Sequence, residues 1–518
     1  MNRSETDETR VSDNERHFST TRVKEDLRRK TVAGAAVTLT AQIGADISQL
    51  IGSIILARFL KPDDFGLVLM VAAFSVLLMN FGVNGFTEVI IQKDDLRHGQ
   101  VNTLFWINLA CSGLLALVFM ALGPVIAGFY GEPELIPIAV AMALSILFAG
   151  LSTQHIAILK RNMKFHAAVG SELAALILSY ALAIGLALNG FGYWALVARQ
   201  VLFTFLLSLG GWILCSWRPG LPAWAGGMGS LLKYAVSTYG TFAMTYFQRN
   251  LDKVLIGRFL GTQSLGSYDR AYTLFALPAS QLTVPLTNVS LAALSRLRQD
   301  PQRYRHAYLK ALSLVAFLGM PLSALLTVIG YDLILLLLGP NWEQAGLIFT
   351  VFAPSAGVFM IYSTHGWLHL SLGRADNWLR WSIVAFVVTA GFFIAGLPYG
   401  APGVALGRVV AIHVLALPGI WYAGKPIGLR VVSVLHATWR CYASSFMAGL
   451  STWVFLKNII PPAPSFEVYA LRVFAGSSIC VLLYLVFTVV INQGTKPIAD
   501  FFGILRESIG GLRQGSRA

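Results

Sequence analysis

The feature that most constrains this chain is a series of fourteen long apolar segments separated by short polar turns. They run approximately over 32–57, 67–91, 101–123, 136–159, 167–189, 193–216, 235–260, 273–294, 311–338, 345–370, 381–398, 402–424, 441–460 and 469–491. As helices rising about 1.5 Å per residue, they can cross roughly 30 Å of hydrocarbon. Backbone in lipid must satisfy its own hydrogen bonds, and these segments lack the strict alternation of a barrel strand, so helices are predicted. Composition agrees: of 518 residues, 56% are hydrophobic and only 12% are charged. A soluble domain carries about a quarter charged residues. The expected fold class is an all-α polytopic membrane protein with about fourteen transmembrane helices, and a large soluble helical enzyme is excluded.

The net charge of +14 would point to nucleic acid in a soluble protein. In a membrane protein it reports basic residues retained on one side. With the N-terminus in the cytoplasm, about 29 of the 39 Lys and Arg residues fall in the tails and even-numbered connections. The clusters are Lys160-Arg161 with Lys164, Arg296 to Lys310, Arg374 with Arg380, and Lys425 to Arg440. The opposite turns, such as G-E-P-E-L (131–135) and N-G-F-G-Y-W (189–194), are nearly free of positive charge. Both termini are therefore expected in the cytoplasm, with no nucleic-acid partner. The four cysteines lie in or at apolar spans without a CxxC, so neither a metal site nor a disulfide framework is expected.

A short stretch occurs twice. Residues 54–66 read I-I-L-A-R-F-L-K-P-D-D-F-G, and residues 254–266 read V-L-I-G-R-F-L-G-T-Q-S-L-G. Other features recur in the same order: the outer turns at 129–135 and 337–343, the basic turns at Lys160-Arg161 and Arg374, and Arg199 against Arg408. Six spans separate equivalent points, so the halves share one orientation. The expected organisation is a basic cytoplasmic tail (1–31), a six-helix lobe (32–216), a cytoplasmic linker (217–234), a second, parallel six-helix lobe (235–424), two further helices (425–491) and a cytoplasmic tail (492–518). Parallel pseudo-symmetric lobes commonly hold substrate between them and alternate access by rocking.

Polar residues inside spans are costly and tend to face protein or a watery cavity. Span 1 carries Gln42, Asp46, Gln49 and Ser53 at helical spacing. Span 7 carries Phe242, Tyr246, Arg249 and Lys253 on the matching face, with Asp252 beside them. Span 2 adds Asn80, Asn84 and Glu88, and span 8 adds Gln281 and Asn288 between or beyond Pro278 and Pro285. One interpretation is a cleft lined by spans 1, 2, 7 and 8, in which Arg249 and Lys253 meet an anionic group. The other is mutual neutralisation, Arg249 with Asp252 and Asp46 with Lys253. Asp46, Glu88, Asp252 and Glu172 are the candidates for ion coupling. Arg58, Arg258, Arg199 and Arg408 are expected to anchor at the interface, and His155, His365 and His369 to pack between helices.

The A-Q-I-G…I-L-A-R-F-L-K-P-D-D-F-G-L stretch and the D-K-V-L-I-G-R-F-L-G…L-G-S-Y-D-R-A-Y segment (252–272) resemble bacterial Wzx-type polysaccharide flippases. These form the polysaccharide-transporter branch of the multidrug/oligosaccharidyl-lipid/polysaccharide exporter superfamily. The resemblance covers about residues 30–425. It implies twelve core helices, commonly with two more, in the bacterial inner membrane. It also implies a substrate, an oligosaccharide repeat unit on undecaprenyl pyrophosphate, moved to the periplasmic leaflet for polysaccharide biosynthesis by alternating access coupled to an ion. A polymerase and a chain-length regulator would be its partners. On this sequence the implied diphosphate ligands are Arg249 and Lys253, with Tyr246, Gln42, Gln49 and Asn84 on the same cleft. Such transport breaks no bond, so no catalytic residue, cofactor or metal is expected.

Two other functions fit the span pattern. A multidrug or metabolite exporter of the same superfamily would use acidic residues to bind cations, whereas the charge in span 7 is mainly positive. A polysaccharide polymerase, ligase or lipid-linked glycosyltransferase would need a large outer loop with acid–base candidates, and the outer connections here are short.

Overall fold

The computed structural model describes residues 27–92, 96–223 and 228–495, with 498, 499 and 503. The side chains of 27–41, 81–86, 88–89, 92, 228, 230 and 241 lie outside the described set. So do most of the two expected tails.

The chain is all-α among the described residues, and it is a polytopic membrane protein. Helices α1 (Leu27–Phe59), α2 (Pro62–Gln92), α3 (His98–Tyr130), α4 (Leu135–Arg161), α5 (Phe165–Leu188) and α6 (Trp194–Leu214) follow one another through short turns. Then come α7 (Met228–Arg296), α8 (Pro301–Leu338), α9 (Glu343–Phe352), α10 (Ala356–Ser363) and α11 (His365–Ser371). The chain continues with α12 (Ala375–Gly396), α13 (Gly400–Gly424), α14 (Val431–Ile459) and α15 (Phe466–Asn492). Nine segments among the described residues are long and apolar enough to cross a membrane, one of them, Ala375–Ile427, holding both α12 and α13. That measure does not by itself return the fourteen crossings expected from the sequence.

Helix α7 is two helices in one. Its backbone breaks at Gly261, where φ is 81° and ψ is −177°, a region open to glycine and strained for other residues. The chain divides into two compact units beside this break, the first ending at Gln263 and the second beginning at Ser264. The first arm of α7 therefore belongs to the unit built from α1–α6.

In the first unit, α3 and α4 are tied by buried amides. Asn108 donates to the Gly150 carbonyl at 2.9 Å, and Gln154 donates to the Leu104 carbonyl at 3.2 Å. In lipid the hydrophobic effect does not drive helices together, so close approach at small residues and such bonds hold them. A Cβ on Gly150 would sit 2.4 Å from the Ser112 Oγ, and one on Gly52 of α1 would sit 2.4 Å from the Tyr180 ring of α5. The segment after α6 is strapped to α3: Asn102, Thr103 and Trp106 donate to the carbonyls of Leu221, Ala223 and Gly220. The fully buried Trp217 fills a core with Phe105, Ile158 and Ala235.

The second unit has its own core, in which Tyr308, Val315, Met360, Trp367 and Ile420 bring together α8, α10, α11 and α13. Buried hydroxyls bond across it, Tyr308 to Thr364 at 2.8 Å and Tyr304 to Ser371. Helices α14 and α15 are bound firmly to α8. Tyr484 donates to the Phe317 carbonyl at 2.8 Å, and Arg472 pairs with the buried Asp332 at 2.8 Å.

Candidate functional site

The polar stripe of α1 is partly self-satisfied. Gln42 donates to the Asp46 carboxylate at 3.1 Å. Gln42 and Gln49 are exposed, while Asp46 and Ser53 are half-buried. Asn84 and Glu88 lie on α2, but their side chains are outside the described residues. Glu172 is exposed on α5.

The first arm of α7 presents two faces. One packs on α2. Tyr239, Phe242 and Tyr246 form a ladder of rings with centroids 6.2 and 5.8 Å apart. Tyr239 donates to the Leu77 carbonyl at 3.0 Å, and Tyr246 reaches the Ala72 carbonyl at 3.4 Å. Tyr246 is thus directed at a neighbouring backbone. Helix α2 has its own carbonyls bonded along the ladder, so each tyrosine shares an oxygen that retains a second lone pair.

The adjoining face, which shares Phe242 with the first, lines an open cavity of about 450 Å³. Its described lining is Tyr234, Ser237, Thr238, Phe242 and Thr245. The steps from 234 to 238, 242, 245 and then 249 are four, four, three and four residues, so Arg249 continues the cavity face. At about 1.5 Å per residue it lies about 6 Å along the axis from Thr245. Arg249 is exposed, and no hydrogen bond or ion pair holds it among the described residues. An uncompensated guanidinium within a span is costly unless it faces water or an anion. Lys253, one further turn on, is half-buried, and Asp252 is fully buried beside it.

The other cations that the sequence places in or at the ends of spans stand differently. Arg199 lies 5.0 Å from the ring centre of Tyr180, and Arg408 lies 4.4 Å from that of Tyr272, to whose hydroxyl it also donates at 3.1 Å. Both are half-buried on aromatic faces. Arg58 and Arg258 are exposed at helix ends, Arg258 over the Phe129 ring. His155 packs against Trp212 with ring centres 4.3 Å apart, and His365 stacks on Tyr362 at 4.5 Å. Among the described residues no group of three or more His, Cys, Asp or Glu side chains is arranged to hold a metal ion.

The hydroxyls of Ser237, Thr238 and Thr245 are not among the candidates that stand out in the sequence. Their helical spacing was the available signal. Hydroxyls carry little weight in a hydropathy profile, and Thr238 back-bonds to the Tyr234 carbonyl at 3.0 Å, as a threonine anywhere in a span can.

Residues 55–346 match the family described as polysaccharide biosynthesis protein. This chain belongs to that family. The match begins within the first copy of the repeated motif and takes in the second, and the resemblance drawn from those stretches is borne out. A relative within curated proteins is the teichuronic acid biosynthesis protein TuaB of Bacillus subtilis (strain 168), 27% identical over 300 residues, which cover 57% of this chain and 62% of TuaB. This chain thus spans less than two thirds of TuaB in that alignment. The lipopolysaccharide biosynthesis protein WzxC of Escherichia coli (strain K12) is 22% identical over 414 residues, covering 77% of this chain and 82% of WzxC. Among solved structures, the lipid II flippase MurJ in an inward closed conformation superposes with a TM-score of 0.71 at 15% identity, covering 88% of this chain and 99% of MurJ. At that identity the likeness establishes the fold of this polysaccharide biosynthesis family member.

Proposed function

We propose that this protein is a lipid-linked oligosaccharide flippase. It moves repeat units on undecaprenyl pyrophosphate from the cytoplasmic to the periplasmic leaflet of the bacterial inner membrane. It does so by alternating access between a lobe at 32–216 and a lobe at 235–424, driven by an ion gradient, with both termini in the cytoplasm. The observation that carries this proposal is Arg249: exposed on the first arm of α7, held by no hydrogen bond or ion pair among the described residues, and one turn beyond a hydroxyl-lined cavity.

A diphosphate needs a cation that can offer several donors, and a guanidinium offers them in a fixed planar fork. Arg249 holds the diphosphate in this scheme, with Lys253 a turn away. Gln42, Gln49 and Asn84 offer amide groups to the sugar, and Tyr246, bonded to α2, keeps the α7 face in register. Asp46, Glu88, Asp252 and Glu172 are the candidate carboxylates for coupling. Flipping exchanges environments without breaking a bond, so the site needs binding groups and no nucleophile. The family description and the names of TuaB and WzxC support a place in surface polysaccharide synthesis. A polymerase and a chain-length regulator are the partners this function calls for downstream.

The test is deletion of the gene in its own host. Lipid-linked single repeat units should accumulate facing the cytoplasm while surface polysaccharide falls. Normal polysaccharide with altered drug tolerance would replace this function with drug export. Export of single units without polymer would replace it with a polymerase.

A further inference from the structure

The cavity beside Arg249 differs in chemistry from the arginine itself. Its described lining is three aliphatic hydroxyls, one phenol and one phenyl ring, with no carboxylate and no ammonium. A hydroxyl has one donor and two acceptor sites, so even a back-bonded threonine such as Thr238 keeps an oxygen able to accept. Ser237, Thr238 and Thr245 thus present hydroxyl oxygens able to accept from the O–H groups of a polyhydroxylated ligand. Phe242 is stiffened by Tyr239 and Tyr246 on either side, which holds its ring as a fixed apolar surface. The C–H face of a pyranose ring is apolar while its rim is hydroxylated, and the lining offers both surfaces. A cationic drug would meet the Arg249 charge without a carboxylate to offset it. A strongly anionic sugar would find no cation among the described lining residues.

We infer that this cavity is a subsite for an uncharged sugar, the one nearest the diphosphate, and that it sets the preference of the transporter for a glycosylated over a bare lipid. This rests on the flippase function proposed above. It assigns two jobs to one helix face: Arg249 binds the phosphate group common to all such lipids, and the hydroxyls with Phe242 read the first sugar. The spacing supports the division. Thr245 lies about 6 Å along the axis from Arg249, and Thr238 about 16 Å, a span comparable to one or two sugar rings.

The experiment uses the full-length protein purified in detergent and two probes, polyprenyl diphosphate and the same lipid bearing a single neutral hexose. Affinities are measured by thermophoresis. The parent protein should bind the glycosylated lipid about tenfold more tightly, the worth of one or two net hydrogen bonds. Thr238→Val with Thr245→Val, and separately Phe242→Ala, should bring the ratio of the two affinities close to one. Thr245→Ser keeps the oxygen and should keep the ratio, which separates a lost hydroxyl from a disturbed helix. Arg249→Ala should weaken both lipids alike and preserve the ratio. A parent ratio near one, or a ratio unaffected by the Val and Ala substitutions, overturns the sugar subsite while diphosphate binding stands. Binding of neither lipid by the parent overturns the flippase function along with it.

Discussion

The Thr262 hydroxyl donates a 2.7 Å hydrogen bond to the Asp63 carboxylate. These two residues belong to the two copies of the repeated stretch, 54–66 and 254–266, so the copies touch within the first unit. Beside this bond, Gly66 lies under the Thr262 backbone, where a Cβ would sit 2.0 Å from the Thr262 carbonyl oxygen. Backbone cannot give way as a flexible side chain can. Gly66→Ala is therefore expected to cost most of the folded protein, read as membrane abundance and monodispersity in detergent. Thr262→Val removes only an exposed hydrogen bond and should cost about 1 kcal/mol. Equal losses from the two substitutions would mean that the bond, and not the close approach, holds the contact.

The turn after α3 places carboxylates near one another. Burial raises the Glu132 carboxyl above its ordinary range, and the nearby Glu134 and Asp63 carboxylates add to it. A carboxyl raised in the folded state binds its proton more readily there than in the unfolded chain. The folded protein therefore gains stability as pH falls through the raised value and loses it as pH rises. Glu132→Gln should raise the thermal midpoint at neutral pH, and the gain should shrink as the pH approaches the ordinary glutamate value. Thermal scans of both proteins from neutral to mildly acidic pH check this. A gain that grows toward acid would mean that Glu132 is held as a stabilised anion.

Asp332 and Arg472 form a buried pair joining α8 to α15, and the Arg472 guanidinium also bonds the Ile460 carbonyl at the end of α14. Removing one partner of such a pair leaves an uncompensated buried charge, at a cost of about 3–5 kcal/mol. Arg472→Leu should show this loss in thermal unfolding. Asp332→Asn combined with Arg472→Leu should recover much of it, because no buried charge then remains. If the double variant is as unstable as the single one, the bonds from Arg472 to the backbone, and not the charge, carry the junction.

Much of this fold is legible in the sequence because lipid imposes one rule on every residue of a span. Long apolar runs must be helices, and their ends are marked by polar turns such as 131–135 and 189–194. The duplication is legible too, and it extends to packing. Arg199 of α6 lies over Tyr180 of α5, and Arg408 of α13 lies over Phe393 of α12, each pair within its own unit. The division of the chain follows a different logic. The repeat suggests a boundary in the linker 217–234, whereas the compact units meet at Gln263 and Ser264, because the first arm of α7 packs on α2 through Tyr239 and Tyr246. Tertiary contact of that kind leaves no mark on a hydropathy profile. The candidate site was half visible for the same reason. Charge in a span stands out, so Arg249 could be singled out from its type alone. Hydroxyls do not stand out, and which face of α7 Tyr246 occupies depends on where α2 runs.

Arg249 provides the most direct test of the site. It is exposed and bonded to nothing else among the described residues, so its replacement removes no structural contact found there. Arg249→Ala should therefore leave membrane abundance near the parent level while surface polysaccharide in a complemented deletion strain falls at least tenfold. Such a loss corresponds to about 1.4 kcal/mol or more of binding, within the range for a charge-assisted hydrogen bond. Arg249→Lys keeps the charge and loses the planar fork, so an intermediate level of export is expected if bidentate contact to phosphate matters. The double variant with Lys253→Ala should fall below either single variant, since two cations one turn apart share one anion. Full export from that double variant would remove both residues from the site, whatever the fate of the cavity beside them.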